Sequence, residues 1–223
     1  KYLGTIIEFA NPKEEKNKKI IKSIFFNKFE QKSSANNIGL SFIGAGNYAG
    51  RVLIPGFKNN SPNFNIIASN TGRGTSYLAK KFSFSQATSD VSEVFKDIES
   101  DAIVIATRHD SHGEFVIKAL DSGKHVFVEK PLCLSISDFE KIKIALGENQ
   151  ILMIGYNRRF ARLTKLLKKQ LDSISAPKSF TYLCNAGYLP SNHWTQDPSK
   201  GGGRLIGEAC HFYDLILFLI NSK

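Results

Sequence analysis

The sequence predicts an α/β protein with a doubly wound parallel sheet, followed by the truncated start of a second α/β domain. Two observations support this fold class. Five short apolar runs rich in Val, Ile and Ala alternate with segments of helical character, the pattern of a parallel sheet covered on both faces. In addition, a glycine-rich segment follows directly on the first run and opens a helix, as in sheets that bind nucleotides.

The five apolar runs are expected to form strands at residues 38–43, 65–70, 102–106, 125–128 and 151–155. Helices between them carry start signals, in which Asp or Ser is followed three residues later by Glu, at Asp90/Glu93, Ser111/Glu114 and Ser137/Glu140. Gly123 and Gly147 are expected to follow helix ends, and Pro55 is expected to kink the first helix.

The junction after the first strand matches the dinucleotide-binding fingerprint G-x-G-x-x-A. Gly44 would allow the tight turn, Gly46 would let the backbone approach a pyrophosphate, and Ala49 would let the helix pack against the strand. The N–H groups that open this helix, around Asn47 and Tyr48, would face the phosphates. The motif therefore predicts a Rossmann-type site for NAD or NADP, although glycine-rich turns also occur without a ligand.

Three regions are expected along the chain. Residues 1–36 are interpreted as the tail of an upstream domain and a linker, or as a solvated extension, residues 37–157 as an NAD(P)-binding Rossmann domain, and residues 158–223 as an incomplete substrate or oligomerisation domain. The outer regions contain a strand-like start (2–9), an amphipathic segment (20–29), a basic helix (160–171), a strand-like segment (178–186) and an apolar helix (205–220).

Composition excludes several classes of protein. The net charge is +10, but twelve basic residues balance twelve acidic ones in residues 37–150, and no nucleic-acid motif is present. No apolar run is long enough to span a membrane. Three widely spaced cysteines favour a reduced, cytoplasmic protein, and they predict neither a disulfide nor a metal site. We expect no nucleic-acid or membrane partner, and a homo-oligomer for the full-length protein.

The end of the second strand bears on the choice between NAD and NADP. Rossmann sites for NAD usually place a carboxylate here, where it binds the ribose 2′-hydroxyl. This chain instead has Ser69, Asn70 and Arg73, which could hold a 2′-phosphate. The sequence therefore favours NADP slightly, with the alternative that Arg73 simply points into water.

Polar residues follow three further strands, at the edge where such sheets bind ligands. Thr107 and His112 follow the strand at 102–106, and Asn157 and Arg158 follow the last strand. Glu129-Lys130-Pro131 ends the strand at 125–128, and a proline at this point, possibly after a cis bond, would aim Lys130 into the cleft. A buried ammonium beside an oxidised nicotinamide gives up its proton more readily, so Lys130 is a candidate for proton exchange. A surface Glu–Lys pair is the alternative.

The last candidate cluster runs from Gly201 to His211. Three consecutive glycines let the backbone pass close to a ligand, and Arg204 follows them. On the helix after them, Glu208 and His211 are spaced i, i+3 and share a face, so the carboxylate could orient the imidazole. A capping or core hydrogen-bond network would explain the same spacing.

Together these segments resemble the Gfo/Idh/MocA family, named after glucose–fructose oxidoreductase and inositol dehydrogenase. The matching features are Gly44-Ala45-Gly46, Glu129-Lys130-Pro131, and a Gly-Gly-Gly stretch before a helix with His211 and Asp214. The resemblance implies a nicotinamide-dependent oxidoreductase for a sugar, cyclitol or nucleotide sugar. It implies that Lys130 contacts the reacting hydroxyl or carbonyl and that His211 donates or accepts the proton.

One departure concerns the carboxylate of this cluster. Many family members have Asp four residues before the His, whereas this chain has Gly207, with the carboxylate displaced to Glu208. Segments such as His193-Trp194 resemble a branch in which a zinc-alcohol-dehydrogenase-like domain precedes this part, and Tyr2-Leu3-Gly4 is similar to the end of such a domain. That branch implies a link to surface-polysaccharide biosynthesis. A non-catalytic dinucleotide sensor on the same scaffold is the alternative function.

The expected site residues are therefore as follows. Catalysis is assigned to Lys130, His211 and Glu208, and substrate binding to Lys130, Asn157, Arg158, Trp194, Arg204 and His211. Cofactor binding is assigned to Gly44, Gly46, Asn47, Tyr48, Ala49, Ser69, Asn70, Arg73, Thr107, His112 and Glu129.

Overall fold

A computed structural model describes residues 21–26 and 37–221 of the chain. Seven strands form one sheet: β1 Ser23–Phe25, β2 Gly39–Ile43, β3 Asn63–Ala68, β4 Gln86–Thr88, β5 Ala102–Ile105, β6 His125–Val128 and β7 Leu152–Ile154. Their spatial order is β1-β4-β3-β2-β5-β6-β7. β2 to β7 are parallel, and β1 pairs antiparallel with β4 at one edge. The predicted doubly wound parallel sheet is confirmed.

The helices alternate with these strands. A π-helical stretch at Ala49–Leu53 runs into α1. The α-helices of the described ranges are α1 Ile54–Lys58, α2 Gly72–Phe82, α3 Ser92–Lys96, α4 His112–Asp121, α5 Ile136–Ala145, α6 Arg162–Asp172 and α7 Cys210–Leu219. A second π-helical stretch, Leu205–Ala209, leads into α7. None of the helices in the described ranges is both long enough and apolar enough to cross a membrane.

The core has one layer on each face of the sheet. Phe42 packs in an aromatic cluster with Phe64 and Phe84, whereas its neighbour Ile43 packs in an aliphatic cluster with Ile103 and Ile105 on the other face. Successive strand residues point to opposite faces, so a strand buried on both sides needs apolar residues at consecutive positions. This requirement explains why the five apolar runs identified β2, β3, β5, β6 and β7.

Two strands lie outside those runs. β4 has the sequence Gln-Ala-Thr and β1 has Ser-Ile-Phe, and these short, partly polar sequences do not form an apolar run. Both are fixed by polar contacts: Ser23 Oγ lies 2.8 Å from Thr88 Oγ1 and donates to Glu93 Oε1 at 2.7 Å. Part of the predicted N-terminal tail therefore belongs to the sheet. The predicted features at residues 2–9, Tyr2-Leu3-Gly4 and most of the linker lie outside the described residues.

Several local predictions need correction. Ser111 does not cap α4, because its hydroxyl donates to the Arg108 carbonyl. The cap of α5 is Ser135, which accepts a hydrogen bond from the Asp138 N–H, rather than Ser137. Asp90 does accept from the N–H of Ser92 near the start of α3.

Helix ends and the first helix were predicted more closely. Gly123 follows α4 with a φ of 75°, as expected of a residue after a helix end. Pro55 lies in the first turn of α1, and the π-helical stretch precedes it, because proline has no N–H to donate to the preceding turn.

The C-terminal region matches its prediction in part. The basic helix and the apolar helix are present as α6 and α7. The strand expected at residues 178–186 is wrong, because no strand in the described part of the chain pairs with this segment. A strand needs a neighbour for its backbone N–H and carbonyl groups, and side-chain pattern alone cannot provide one.

Candidate active site

The sheet brings the predicted nucleotide corner to its topological switch point. β2 lies between β3 and β5, and the chain runs to opposite sides of the sheet from there. Gly44 has a φ of 107°, and a Cβ at this position would lie 2.4 Å from the Ala106 carbonyl oxygen. Only glycine fits such a position. The tight turn assigned to Gly44 is therefore explained by close contact with the end of β5.

The next positions of the corner face open space. A Cβ on Gly46 would meet no atom within 4 Å, so the protein itself does not require glycine there. Asn47 and Tyr48 are exposed at the start of the helix, and Ala49 is 1% exposed against the core. A glycine without a packing reason beside a helix N-terminus fits a backbone that must approach a phosphate group.

The end of β3 carries the residues expected to distinguish NAD from NADP. Ser69 is partly buried, and Asn70 and Arg73 are exposed. Ser69 Oγ lies 3.2 Å from Thr71 Oγ1 and shapes the turn into α2. The turn from residue 69 to residue 73 has no carboxylate.

Thr107 and His112 shape the loop after β5. Thr107 Oγ1 lies 2.7 Å from Ser111 Oγ. His112 is completely buried, with Nδ1 2.7 Å from the Pro131 carbonyl and Nε2 3.2 Å from the Thr107 carbonyl. Burial lowers the pKa of His112, and the neutral ring donates from Nδ1 to Pro131. His112 thus supports the loop after β6, and its direct contact with a cofactor stays a prediction.

Lys130 extends from the end of β6 toward the C-terminal region. The Lys130–Pro131 peptide bond is cis. Lys130 Nζ donates to the Gly207 carbonyl at 2.6 Å. Glu129 lies over Gly155 at the end of β7, where a Cβ would come within 2.8 Å of its carboxylate, and burial raises the pKa of Glu129. The loop after β6 therefore presents the ammonium to the cleft and tucks the carboxylate against the sheet edge.

His211 lies near Lys130 and Arg158, whose charges act on it, and has no carboxylate hydrogen-bond partner among the described residues. Its Nδ1 is the one fully buried side-chain nitrogen or oxygen without a hydrogen bond among residues 21–26 and 37–221. Burial, followed by the nearby charges of Lys130 and Arg158, lowers the pKa of His211 to about 4. The imidazole is therefore neutral near pH 7 and able to accept a proton.

The proposed pairing of Glu208 with His211 is wrong in this structure. Glu208 accepts a hydrogen bond from Arg204 Nε at 2.9 Å, one turn earlier on the same helix. Asp214 accepts hydrogen bonds from two nitrogens of Arg159, with Nε donating to Oδ2 at 2.7 Å and Nη2 donating to Oδ1. Spacing alone put Glu208 and Asp214 on the face of His211, but each carboxylate bonds to an arginine instead.

The remaining predicted substrate residues lie on different elements. Asn157 Nδ2 donates to Tyr48 Oη at 3.3 Å and so links the end of β7 to the nucleotide corner. The Arg158 guanidinium lies 4.9 Å from the Phe212 ring centre. Arg204 also donates to the Gly187 carbonyl at 3.0 Å.

Trp194 lies in a small pocket with Lys130. This pocket has a volume of about 260 Å³ and is lined by His109, Lys130, Trp194, Thr195, Gly203, Arg204, Gly207 and Glu208. Sequence reasoning left out His109, whose ring makes an edge contact with Trp194 at 4.9 Å. Its Nδ1 donates to the Gly201 carbonyl at 2.9 Å, a contact 92 residues away in sequence. No local motif could have indicated that contact.

The residues present suit a dinucleotide with its nicotinamide toward Lys130. The corner offers open space at Gly46 and exposed positions at Asn47 and Tyr48. Lys130 follows β6, and its charge helps to keep His211 neutral. No group of three or more potential metal ligands occurs in the described ranges.

Comparisons with known proteins agree with this geometry. Residues 38–156 match the family model described as "Oxidoreductase family, NAD-binding Rossmann fold". Scyllo-inositol 2-dehydrogenase (NAD(+)) of Bacillus subtilis (strain 168) is 30% identical over 152 residues, which are 66% of this chain and 43% of that protein. Myo-inositol 2-dehydrogenase of Thermotoga maritima is 34% identical over 149 residues, 66% of this chain and 44% of that protein. The chain thus spans less than half the length of these relatives.

A solved structure shares the fold over a longer range. Levoglucosan dehydrogenase in complex with NADH and levoglucosan matches with a TM-score of 0.70 and 26% identity, over 82% of this chain and 54% of that chain. The family model covers more than half of the present chain, including β2 to β7 and the Lys130 loop. The chain belongs to the Gfo/Idh/MocA oxidoreductase family.

Proposed function

We propose that the protein is an NAD(P)-dependent oxidoreductase that transfers hydride to or from a sugar, cyclitol or nucleotide-sugar substrate. The observation that carries this proposal is that Lys130, at the carboxyl end of β6 in a sheet with a dinucleotide corner, donates to the carbonyl of Gly207, one helical turn before His211, and that its charge helps to lower the pKa of His211. Relatives whose names specify inositols and levoglucosan support a polyhydroxylated substrate.

In the oxidation direction, the substrate carbon loses a hydride and its hydroxyl loses a proton. Bound NAD(P)⁺ supplies the hydride acceptor. Lys130 donates a hydrogen bond to the reacting oxygen and stabilises the charge that develops on it. The neutral His211 accepts the hydroxyl proton, leaving a carbonyl, and returns that proton in the reverse direction.

We further propose that the site accepts NADP as well as NAD. Ser69, Asn70 and Arg73 offer hydroxyl, amide and guanidinium groups at the end of β3, and no carboxylate in that turn would repel a 2′-phosphate. The name of one relative specifies NAD(+) and one structural neighbour is a complex with NADH, and both support the use of NAD.

Three parts of the proposal extend beyond the site. The free thiols of Cys133, Cys184 and Cys210 favour a reducing, cytoplasmic location. We expect the full-length protein to form a homo-oligomer. The resemblance to the branch with an upstream zinc-alcohol-dehydrogenase-like domain favours a nucleotide-sugar substrate in surface-polysaccharide biosynthesis.

The test is turnover of the whole protein with NAD⁺ or NADP⁺ and a panel of cyclitols, sugars and nucleotide sugars. Lys130→Ala and His211→Ala should each reduce kcat by about 100-fold or more while NADH binding persists. Turnover that neither substitution changes would contradict the site assignment. NADH binding without turnover on any substrate would favour the dinucleotide-sensor alternative.

A further inference from the structure

His109 has one ring nitrogen committed to the protein and one that is free. Its Nδ1–H donates to the Gly201 carbonyl at 2.9 Å. Nε2 has no hydrogen-bond partner among the described residues. It is not fully buried either, because His211 Nδ1 is the one fully buried side-chain nitrogen or oxygen without a partner in that part of the chain. His109 lines the pocket of about 260 Å³ that it shares with Lys130. Nε2 is thus the polar atom of this ring available to a ligand.

The ring is held in a fixed orientation. Trp194 contacts it edge-on at a centroid distance of 4.9 Å, and the His112 ring lies 5.8 Å away on another side. With the Gly201 bond, these contacts fix both the position of the imidazole and its Nδ1–H tautomer. Burial, and to a lesser extent the charge of Lys130, lowers the pKa of His109. Nε2 therefore presents a lone pair and acts as a hydrogen-bond acceptor.

Gly207 leaves the space that this ring occupies. A Cβ on Gly207 would lie 2.8 Å from the Gly201 carbonyl oxygen and 3.3 Å from Cε1 of His109. Any side chain at residue 207 would thus press on the imidazole and on the carbonyl that anchors it. The Gly207 carbonyl also accepts the hydrogen bond from Lys130. The glycine, the imidazole and the ammonium form one packed unit.

We propose that His109 is a substrate-binding residue whose Nε2 accepts a hydrogen bond from a substrate hydroxyl adjacent to the reacting carbon. This inference rests on the proposed oxidoreductase function and adds a residue that determines which hydroxyl pattern is accepted. Lys130 donates to the reacting oxygen from the same pocket, and His109 accepts from the next hydroxyl along the ring. A polyhydroxylated ring offers both groups on neighbouring carbons.

Two His→Asn variants separate this role from a structural one. In His109→Asn the amide nitrogen replaces Nδ1, so the bond to Gly201 is kept and the group at the Nε2 position is removed. His125→Asn is the matched control, because His125 lies at the start of β6, at the opposite end of the sheet, and its Nδ1 accepts from the Ile151 N–H. The amide oxygen of Asn can replace that acceptor.

The experiment measures affinity by calorimetry for the whole protein loaded with NADH. The probes are myo-inositol, scyllo-inositol, levoglucosan and UDP-glucose, each with its mono-deoxy analogues. H109N should bind NADH as the wild type does and bind the recognised probe about tenfold more weakly, which corresponds to about 1.4 kcal/mol. H125N should change neither affinity. One deoxy analogue should bind the wild type more weakly than the parent probe does, whereas H109N should bind this analogue and the parent probe equally. A purely structural role of His109 would not produce this coupling.

The outcomes distinguish this inference from the proposed function. The role of His109 alone would be overturned if H109N bound the probe as tightly as the wild type does. It would also be overturned if the substitution changed the effect of no deoxy position on affinity. NADH binding with no affinity for any probe would overturn the proposed substrate class and this inference with it. If H109N does not fold, nitrogen-15 NMR of the wild type decides. The His109 Nε2 resonance is identified by its absence from the spectrum of His109→Gln. The recognised probe must shift this resonance, and its deoxy analogue must not.

Discussion

The sheet region, residues 38–156, and the C-terminal region, residues 157–221, are held in place by different interactions. The first has buried apolar layers on both faces of the sheet. In the second, four residues are buried, namely Gly201, Gly207, Asp214 and Leu219. Three of these four make a polar contact with a site residue or its neighbour: Gly201 with His109, Gly207 with Lys130, and Asp214 with Arg159.

This difference explains how the candidate site is assembled. The dinucleotide corner is a product of sheet packing and forms with the core. The C-terminal region is attached through a few polar contacts, among them those of the candidate site residues His109 and Lys130. Substitutions in the sheet should therefore affect global stability, and substitutions at the polar contacts should affect the attachment of α7 and the substrate site.

The largest expected effect is that of Gly44→Ala. The new Cβ would lie 2.4 Å from the Ala106 carbonyl oxygen at a φ of 107°, so the end of β5 would have to move. We expect a loss of about 3 kcal/mol or more in the free energy of unfolding. Urea unfolding measures this loss. Gly46→Ala is the control, since its Cβ meets nothing within 4 Å, and it should keep stability while weakening NADH binding. Equal stability of the two variants would contradict the packing role of Gly44.

Arg159→Met should have the next largest effect. Asp214 is 7% exposed, and without Arg159 its charge would be left buried and unpaired. We expect a cost of about 2 kcal/mol to the attachment of α7, reduced from that of a fully buried pair because Arg159 is partly exposed. Hydrogen exchange should accelerate in α7 and remain unchanged in β2 and β5. Adding Asp214→Asn should recover part of the lost stability. Equal acceleration of exchange in α7, β2 and β5 would contradict the claim that different interactions stabilise the two regions.

Arg73→Ala should have a smaller and more selective effect. If Arg73 holds a 2′-phosphate, its loss should weaken NADPH binding by about tenfold and leave NADH binding unchanged. Fluorescence titration with both coenzymes measures the ratio. Lys80→Ala, on the exposed face of the same helix, is the control. A parallel change for both coenzymes would contradict the proposed NADP contact.

The smallest expected effect is a gradual loss of stability with acid. Burial lowers the pKa of His211 to about 4, and the pKa values of His109 and His112 are lowered for the same reason. The unfolded chain therefore binds protons that the folded chain does not, and stability should fall as pH decreases from about 6.5 toward 4. His211→Gln should make the slope of the unfolding midpoint against pH shallower. An unchanged slope would show that His211 does not contribute.

The difference between apolar packing in the sheet region and polar contacts in the C-terminal region also explains how much could be predicted from the sequence. In residues 38–156, apolar runs alternate with segments of helical character, so the fold was predictable. The Gly44–Ala49 motif and the Lys130 loop directly follow such runs, so the nucleotide corner was predictable as well. Strands β1 and β4 were not, because they are short and include polar residues, so they do not stand out as apolar runs.

The C-terminal contacts depend on partners far away in sequence. Helical spacing placed Glu208 near His211, yet the same spacing places it one turn from Arg204, which forms the ion pair. His109 was missed because its importance arises from Gly201, 92 residues later. Which partner such a side chain bonds to depends on the tertiary structure and cannot be predicted from the local sequence.

The central claim is that this corner binds a dinucleotide and directs its nicotinamide toward Lys130. Trp194 is the only tryptophan of the chain and shares the pocket with Lys130, so its emission reports on that position. Titration with NADH should quench Trp194 emission and sensitise the emission of the bound nicotinamide, and Gly46→Ala should weaken both signals together. Unchanged Trp194 emission from a folded protein at saturating NADH would contradict the claim.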